Sequence, residues 1–234
     1  LGDLEGINWP YSGEVVVSAP GFLASSDFVL RAVKKYPDHF NRLVSDGALE
    51  VGYVSGEHSQ SLRERCAQAQ DEMLLKKLLR QYRHLAMVTI AWRDIAGWAQ
   101  LEETFLSLTE LAESCVQCAL EAATRWETQR YGNPVDGNDN VQQLLIIGMG
   151  KLGGIELNYS SDIDLIYFFP ENGSTDGKKA VSNDEFFTAV GRRIIRLLDD
   201  LTEDGFVFRV DMRLRPFGKS GPLAMSFDAA EHYY

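Results

Sequence analysis

The sequence has few cysteines, no long apolar run and no excess of basic residues, and each shortage excludes a class of protein. Three cysteines among 234 residues are too few for a disulfide framework. No stretch reaches the roughly 18 apolar residues of a membrane-spanning helix, and no basic segment followed by an apolar one marks a secretory signal. With 23 basic and 34 acidic residues, the net charge of −11 argues against non-specific binding to nucleic acid or anionic lipid. We therefore expect a cytoplasmic protein with no nucleic-acid partner and no membrane partner.

The overall composition is that of a folded domain. Apolar residues make up 45% of the chain and charged residues 24%, which excludes wholesale disorder. The length allows one or two domains with a sizeable core. Because the sequence begins at Leu1 rather than at a methionine and stops after Tyr234, we expect it to be a piece of a longer protein.

Two of the cysteines have the spacing of a metal-binding pair. Cys115 and Cys118 form a C-x-x-C, but they lie within a helical pattern of apolar residues, and no second Cys or His pair follows at zinc spacing. Small thiols in such a pattern are typical of a helix core. We interpret both as buried structural cysteines.

The pattern of apolar residues predicts an α+β chain with a helical N-terminal part. Helices are expected from Ser25 or Ser26 to about Val44, over 59–97 with a break near Arg83-His84, and over 100–130. The expected division is an irregular arm (1–22), a helical region (23–131), a polar Gly/Asn/Asp linker (132–140) and an α+β region (141–234).

The α+β region is predicted to hold a small sheet and one long helix. A capping box at Ser182–Glu185 starts the helix. Short apolar or alternating segments predict the strands. These segments are 144–147, 162–169, 206–214 and 223–227.

A glycine-rich turn follows the first of these strands. Residues 148–153 match G-x-G-x-x-G, which on its own is compatible with a dinucleotide-binding fold. That fold needs a helix of about three turns before the next strand. Only residues 154–161 are available for it, so the dinucleotide interpretation is disfavoured.

The next strand begins with two carboxylates at alternate positions. Asp162 and Asp164 therefore share one face of the strand and repel each other unless a cation lies between them. Alternation over 206–214 places Asp211 on one face with Arg209, Arg213 and Arg215. Asp162, Asp164 and Asp211 together are the donor set for one or two Mg²⁺ ions in phosphoryl chemistry. Two solvated acids at an exposed strand start are the structural alternative.

Longer motifs around these residues resemble a known family. They are Gly150–Gly154, Glu156–Asn158, Ser160–Ile166 and Asp211–Pro216, with Ala91–Gly97 upstream. The triad pattern resembles the DNA polymerase beta-like nucleotidyltransferase superfamily. More narrowly, the motifs resemble the bifunctional glutamine synthetase adenylyltransferase/adenylyl-removing enzyme family, over about residues 24–234.

The resemblance implies a nucleotidyltransferase fold with a small mixed β-sheet flanked by helices, and a core over 141–234 that is truncated at its C-terminal end. Asp162, Asp164 and Asp211 would be catalytic and would bind Mg²⁺. A further group would bind nucleotide or phosphate. Its members are Lys151, Gly153, Gly154, Ser161, Arg213 and Arg215.

The family carries two such units, one that attaches AMP to a tyrosine of glutamine synthetase and one that removes it by phosphorolysis. The attaching unit usually has Gly where Asn158 stands and Ser where Phe217 stands, so this sequence resembles the N-terminal, removing unit. The implied partners are glutamine synthetase, ADP or ATP, phosphate and, through the full-length enzyme, the PII signal protein. Two alternatives stay open: the attaching reaction from ATP, and a non-catalytic module that senses nucleotide or binds glutamine synthetase.

Overall fold

The first part of the chain is helical in the computed structural model, which describes residues 4, 6–10, 13–67 and 69–234. The helices of this part are α1 (Glu14–Ser25), α2 (Asp27–Lys35), α3 (Pro37–Ser45), α4 (Glu57–Cys66), α5 (Glu72–Ile95) and α6 (Leu101–Tyr131). Ser26 caps α2, because its hydroxyl accepts a hydrogen bond from the Val29 amide at 3.4 Å. Among the residues described, no single helix is long and apolar enough to cross a membrane; α1 and α2 pass that test only together, across a bend of 115°.

Two N-terminal predictions are wrong. The irregular arm predicted over 1–22 contains α1 from Glu14 onward, although residues 1–3, 5, 11 and 12 lie outside the described part of the chain. The buried residues of α1 are Val15, Ala19 and Phe22, which have helical spacing, but Pro20 lies among them and argued against a helix. The single helix expected up to Val44 is interrupted at Tyr36, because a residue before proline disfavours the helical conformation and Pro37 starts α3.

The long helix predicted over 59–97 breaks in a different place. α4 ends at Cys66 and α5 begins at Glu72, where the Asp71 carboxylate accepts a hydrogen bond from the Leu74 amide at 2.8 Å. Gln68, within this break, is outside the described residues. No break occurs near Arg83-His84 in α5. The Arg83 guanidinium instead packs among aromatic rings. These belong to Phe28, Phe206 and Phe208, with centroids 5.5, 5.8 and 5.9 Å away.

The polar linker predicted over 132–140 is part of the folded structure. Strand β1 (Pro134–Val135) pairs antiparallel with β4 (Ser174–Thr175). The Asp136 carboxylate accepts hydrogen bonds from the Asn138 and Asn140 amides at 2.8 and 2.9 Å. Local composition could not reveal β1, because its pairing partner is distant in sequence.

A small mixed sheet follows, which confirms the predicted α+β class. The remaining elements are β2 (Leu145–Met149), α7 (Gly150–Gly153), β3 (Ile163–Phe169), α8 (Asn183–Asp199), β5 (Val210–Asp211), β6 (Ala224–Ser226) and α9 (Phe227–Tyr233). β3 is central: β2 pairs with it antiparallel, while β5 and β6 pair with it in parallel. The predicted capping box at Ser182 and Glu185 is confirmed at the start of α8.

The predicted strand over 206–214 is mostly wrong. Only Val210 and Asp211 form a strand. Val207 and Phe208 are both buried, and both amides donate to the Leu198 carbonyl, at 2.8 and 3.2 Å. The alternation in the sequence therefore does not correspond to alternating faces.

One apolar core joins the helical and the α+β parts. It contains buried residues of α4, α5, α6 and α8 and the face of β3 formed by Ile163, Leu165, Tyr167 and Phe169. The three cysteines are free and buried, so the interpretation of Cys115 and Cys118 as core thiols is confirmed. Asp164 lies on the opposite face of β3, away from this core.

Candidate active site

The centre of the candidate site is a pair of carboxylates on neighbouring strands. Asp164 on β3 and Asp211 on β5 are register partners in the parallel ladder. Burial and the nearby Asp211 carboxylate raise the pKa of Asp164. Hydrogen bonds from Arg213 lower the pKa of Asp211. Asp162 immediately precedes β3, is exposed, and contributes further to the raised pKa of Asp164.

The glycine-rich turn lies against this pair. Met149, the last residue of β2, is the register partner of Asp164, and α7 follows directly. Gly150 has a φ of +54°, and a Cβ there would come within 2.7 Å of the Asp164 carboxylate oxygen Oδ2. A Cβ at Gly153 would come within 2.5 Å of the Gly148 carbonyl oxygen. Glycine is thus required for the close approach of the turn to Asp164, and α7 is a single turn rather than the helix of a dinucleotide fold.

The arginines of the predicted phosphate site have different environments. The Arg213 amide donates to Asp211 Oδ1 at 2.8 Å, and its Nε donates to Oδ2 at 2.6 Å. Arg215 points elsewhere: it donates to the carbonyl oxygens of Met212, Lys219 and Gly221 at 2.6, 3.2 and 3.5 Å. The expectation that strand alternation places both side chains beside Asp211 is wrong, because β5 ends at Asp211 and the chain turns.

The other predicted phosphate-site residues lie around the turn. Lys151 is exposed on α7, which ends at Gly153. The amide of Gly154, the residue after α7, donates to the Gly150 carbonyl at 3.0 Å. The Ser161 hydroxyl donates to Asn158 Oδ1 at 2.7 Å. Ser161 therefore helps to form the turn before Asp162.

Two side-chain contacts around the site were missed by the sequence reasoning. The sequence predicted only that Arg209 shares a strand face with Asp211. In the structure, Arg209 Nε donates to Asp162 Oδ1 at 2.5 Å. The Tyr159 hydroxyl donates to Asp94 Oδ2 at 2.9 Å and so joins the turn to the end of α5. No sequence signal pairs Tyr159 with Asp94, since the contact spans 65 positions.

The carboxylates suit Mg²⁺ in chemistry, although they do not converge. Within the described residues, no three acidic, His or Cys side chains are arranged to hold a metal ion. Asp162 and Asp211 are each paired with an arginine. Burial and the neighbouring acids nevertheless disfavour the ionised form of Asp164. A hard divalent cation, which prefers oxygen ligands, would stabilise such a group of carboxylates.

Comparison with known proteins assigns this α+β chain to a family of adenylyl-transferring enzymes. The family model described as "Glutamate-ammonia ligase adenylyltransferase" matches residues 18–234. The chain therefore belongs to this family, which confirms the resemblance seen in the motifs.

Curated relatives agree with the family match. The chain is 47% identical over 211 residues to the "Bifunctional glutamine synthetase adenylyltransferase/adenylyl-removing enzyme" of Thioalkalivibrio sulfidiphilus, covering 90% of the chain and 22% of the relative. Proteins of the same description from Shewanella oneidensis and Pseudomonas aeruginosa are 47% and 44% identical over 213 residues, covering 91% and 90% of the chain and 22% of each relative. The chain thus spans about a fifth of the length of these relatives.

Proposed function

We propose that this chain is the unit that removes AMP from the adenylylated tyrosine of glutamine synthetase by Mg²⁺-dependent phosphorolysis, releasing ADP. The observation that carries the proposal is the register pairing of Asp164 with Asp211 beneath the Gly150 turn, with Asp162 beside them. The names of the relatives supply glutamine synthetase as the protein substrate. PII would act through other parts of the full-length enzyme.

Asp162, Asp164 and Asp211 would hold the metal. Bound there, Mg²⁺ would supply neutralisation of the charge on the AMP phosphate and on the leaving tyrosinate. Gly150 keeps the space beside Asp164 Oδ2 free of a side chain. This role requires Asp211 to exchange the Arg213 side chain for the cation, whereas Asp162 is paired through Oδ1 only.

Arg213 is the residue of choice for the incoming phosphate. Its side chain is 68% exposed and lies beside Asp211. A guanidinium binds phosphate through two parallel hydrogen bonds. In the reaction, a phosphate oxygen attacks the phosphorus of the AMP group, the bond from phosphorus to the tyrosine oxygen breaks, and the tyrosinate takes a proton from solvent. Phosphate is already anionic near pH 7, so the step needs no strong general base.

The removing direction is supported by Asn158 within the motifs and by Phe217 directly after them. Asn158 Oδ1 accepts hydrogen bonds from the Ser161 hydroxyl at 2.7 Å and the Ser160 amide at 3.3 Å, which a glycine at that position would not provide. Phe217 adopts a φ of +59° and packs edge-on against Tyr233. Both differ from the attaching unit.

The test supplies adenylylated glutamine synthetase, Mg²⁺ and phosphate and measures ADP. We expect ADP release that needs both Mg²⁺ and phosphate and is lost in Asp162→Asn. Pyrophosphate release from ATP and unmodified glutamine synthetase would instead establish the attaching direction. Mg²⁺-dependent nucleotide binding without either product would establish a binding module.

A further inference from the structure

Arg209 lies at the junction between the turn that precedes Asp162 and the sheet. We propose that Arg209 is a positioning residue that fixes the Asp162 carboxylate for metal binding. This inference rests on the proposed function, because it assigns Asp162 to the metal. The sequence alone gave Arg209 no role beyond sharing a face with Asp211.

One guanidinium holds two points of the same short segment. Nε of Arg209 donates to Asp162 Oδ1 at 2.5 Å, and Nη2 donates to the Ser160 carbonyl at 3.0 Å. The Arg209 backbone is fixed as well, since its carbonyl accepts a hydrogen bond from the Ile163 amide at 2.9 Å. Arg209 therefore connects a fixed point of the sheet to the side chain and the main chain that flank the start of β3.

Asp162 needs such support more than Asp164 does. Asp164 is held from both sides, with Met149 and Asp211 as register partners. Asp162 lies before the first residue of β3, and its side chain is 44% exposed. Without Arg209, the side chain of Asp162 would be free to change rotamer. The pairing uses Oδ1 and leaves Oδ2 available to a cation.

A second role for Arg209 would be simple charge neutralisation. Burial, Asp200 and Asp162 raise the pKa of Asp199, while Arg209 lowers it, so the guanidinium lies among several acids. The two roles predict opposite changes in metal affinity when Arg209 is removed. A cation that only neutralises Asp162 competes with the metal, and its removal tightens metal binding. A residue that orients Asp162 helps the metal, and its removal weakens binding.

The experiment compares Arg209→Ala, Arg209→Lys and wild type, with Arg196→Ala as the matched control. Arg196 is a partly exposed arginine whose ion-pair partner among the described residues is Glu72, at 3.6 Å, rather than an aspartate of the candidate site. Mn²⁺ alone is titrated into each protein and bound ion is followed by electron paramagnetic resonance. Loss of a group that orients a metal ligand typically costs about ten- to a hundred-fold in metal affinity or activity. We expect Arg209→Ala to show that weakening, Arg209→Lys to recover part of it, and Arg196→Ala to match wild type.

Turnover provides a second readout. With phosphate varied at saturating Mg²⁺, we expect Arg209→Ala to lower kcat while the KM for phosphate is unchanged. Tighter Mn²⁺ binding in Arg209→Ala, or binding equal to wild type, would overturn the positioning role. If Arg209→Ala weakens Mn²⁺ binding as expected but wild type releases no ADP, the proposed function is overturned and the positioning role stands, because metal affinity is measured without the reaction.

Discussion

Asp164 and Asp211 occupy paired positions on the parallel strands β3 and β5, so their carboxylates emerge on the same face of the sheet. This face is opposite to the one packed in the core. The pairing places two acids side by side at the edge of a glycine turn, where burial and mutual repulsion oppose the ionisation of Asp164. We therefore expect the ionised Asp164 carboxylate to lower the stability of the folded protein.

Asp164→Asn is expected to raise the melting temperature near neutral pH. The pKa of Asp164 is raised in the folded protein, first by burial and then by Asp211, so ionisation above that pKa destabilises the folded state. The difference from wild type should shrink as the pH falls towards the unfolded pKa of about 3.9, where both states bind the proton. Thermal melts at several pH values without added metal measure it. Asp162→Asn is expected to give a smaller change, because its charge contributes less than burial and Asp211 to the raised pKa of Asp164 and because it also loses the pair with Arg209.

Gly150→Ala is expected to destabilise the protein and to abolish Mg²⁺ binding. The φ of +54° costs an L residue about 1–2 kcal/mol, and the new Cβ would lie 2.7 Å from Asp164 Oδ2. Gly137→Ala is the matched control, because nothing lies within 4 Å of a Cβ there. Denaturant unfolding and a metal titration test the pair. Equal behaviour of both variants would remove the requirement for glycine beside Asp164.

Arg213→Ala is expected to raise the KM for phosphate by roughly ten- to a hundred-fold, because a charge-assisted contact to phosphate is lost. Its exposed guanidinium has only Asp211 as an ion-pair partner among the described residues. Stability should change little. Initial rates against phosphate at saturating Mg²⁺ give the answer, and an unchanged KM would retire the phosphate-binding role and favour the attaching direction.

Arg215→Ala is expected to lower stability instead, by about 1–3 kcal/mol. Its guanidinium donates to the carbonyl oxygens of Met212, Lys219 and Gly221, which hold the turn after β5 closed. Without the guanidinium, these three carbonyl oxygens lose a hydrogen-bond donor, which destabilises the turn. Denaturant unfolding of Arg215→Ala beside Arg213→Ala separates the two roles. A selective rise in phosphate KM for Arg215→Ala, with stability intact, would contradict this assignment.

Features set by neighbours in sequence were predictable. The Ser182 capping box, the end of α6 before Gly132, and strand β3, predicted from Asp162 and observed from Ile163, each depend on local spacing and on a local stop or start signal. The motifs around Asp162 and Asp211 likewise identified the family.

Features set by tertiary contacts were not predictable. β1 exists because Ser174 and Thr175 pair with it. β5 is short because the Leu198 carbonyl accepts hydrogen bonds from the chain before it. The alternating residues up to Arg215 therefore lie outside the sheet, and their alternation does not determine which way their side chains point. Arg209 and Asp162 are likewise joined by side-chain geometry rather than by spacing.

Tyr159→Phe is expected to loosen the segment that leads to Asp162. The Tyr159 hydroxyl donates to Asp94 Oδ2 at 2.9 Å. Burial and, after it, the Asp94 carboxylate raise the pKa of Tyr159, which keeps the hydroxyl protonated as a donor. Tyr53→Phe is the matched control, because it removes a similar tyrosine bond to a carboxylate, that of Glu110, without touching this segment. Hydrogen exchange should rise several-fold for amides of residues 154–162 in Tyr159→Phe only, since a hydrogen bond contributes about 1 kcal/mol. Equal exchange in both variants would show that Asp94 does not hold the turn.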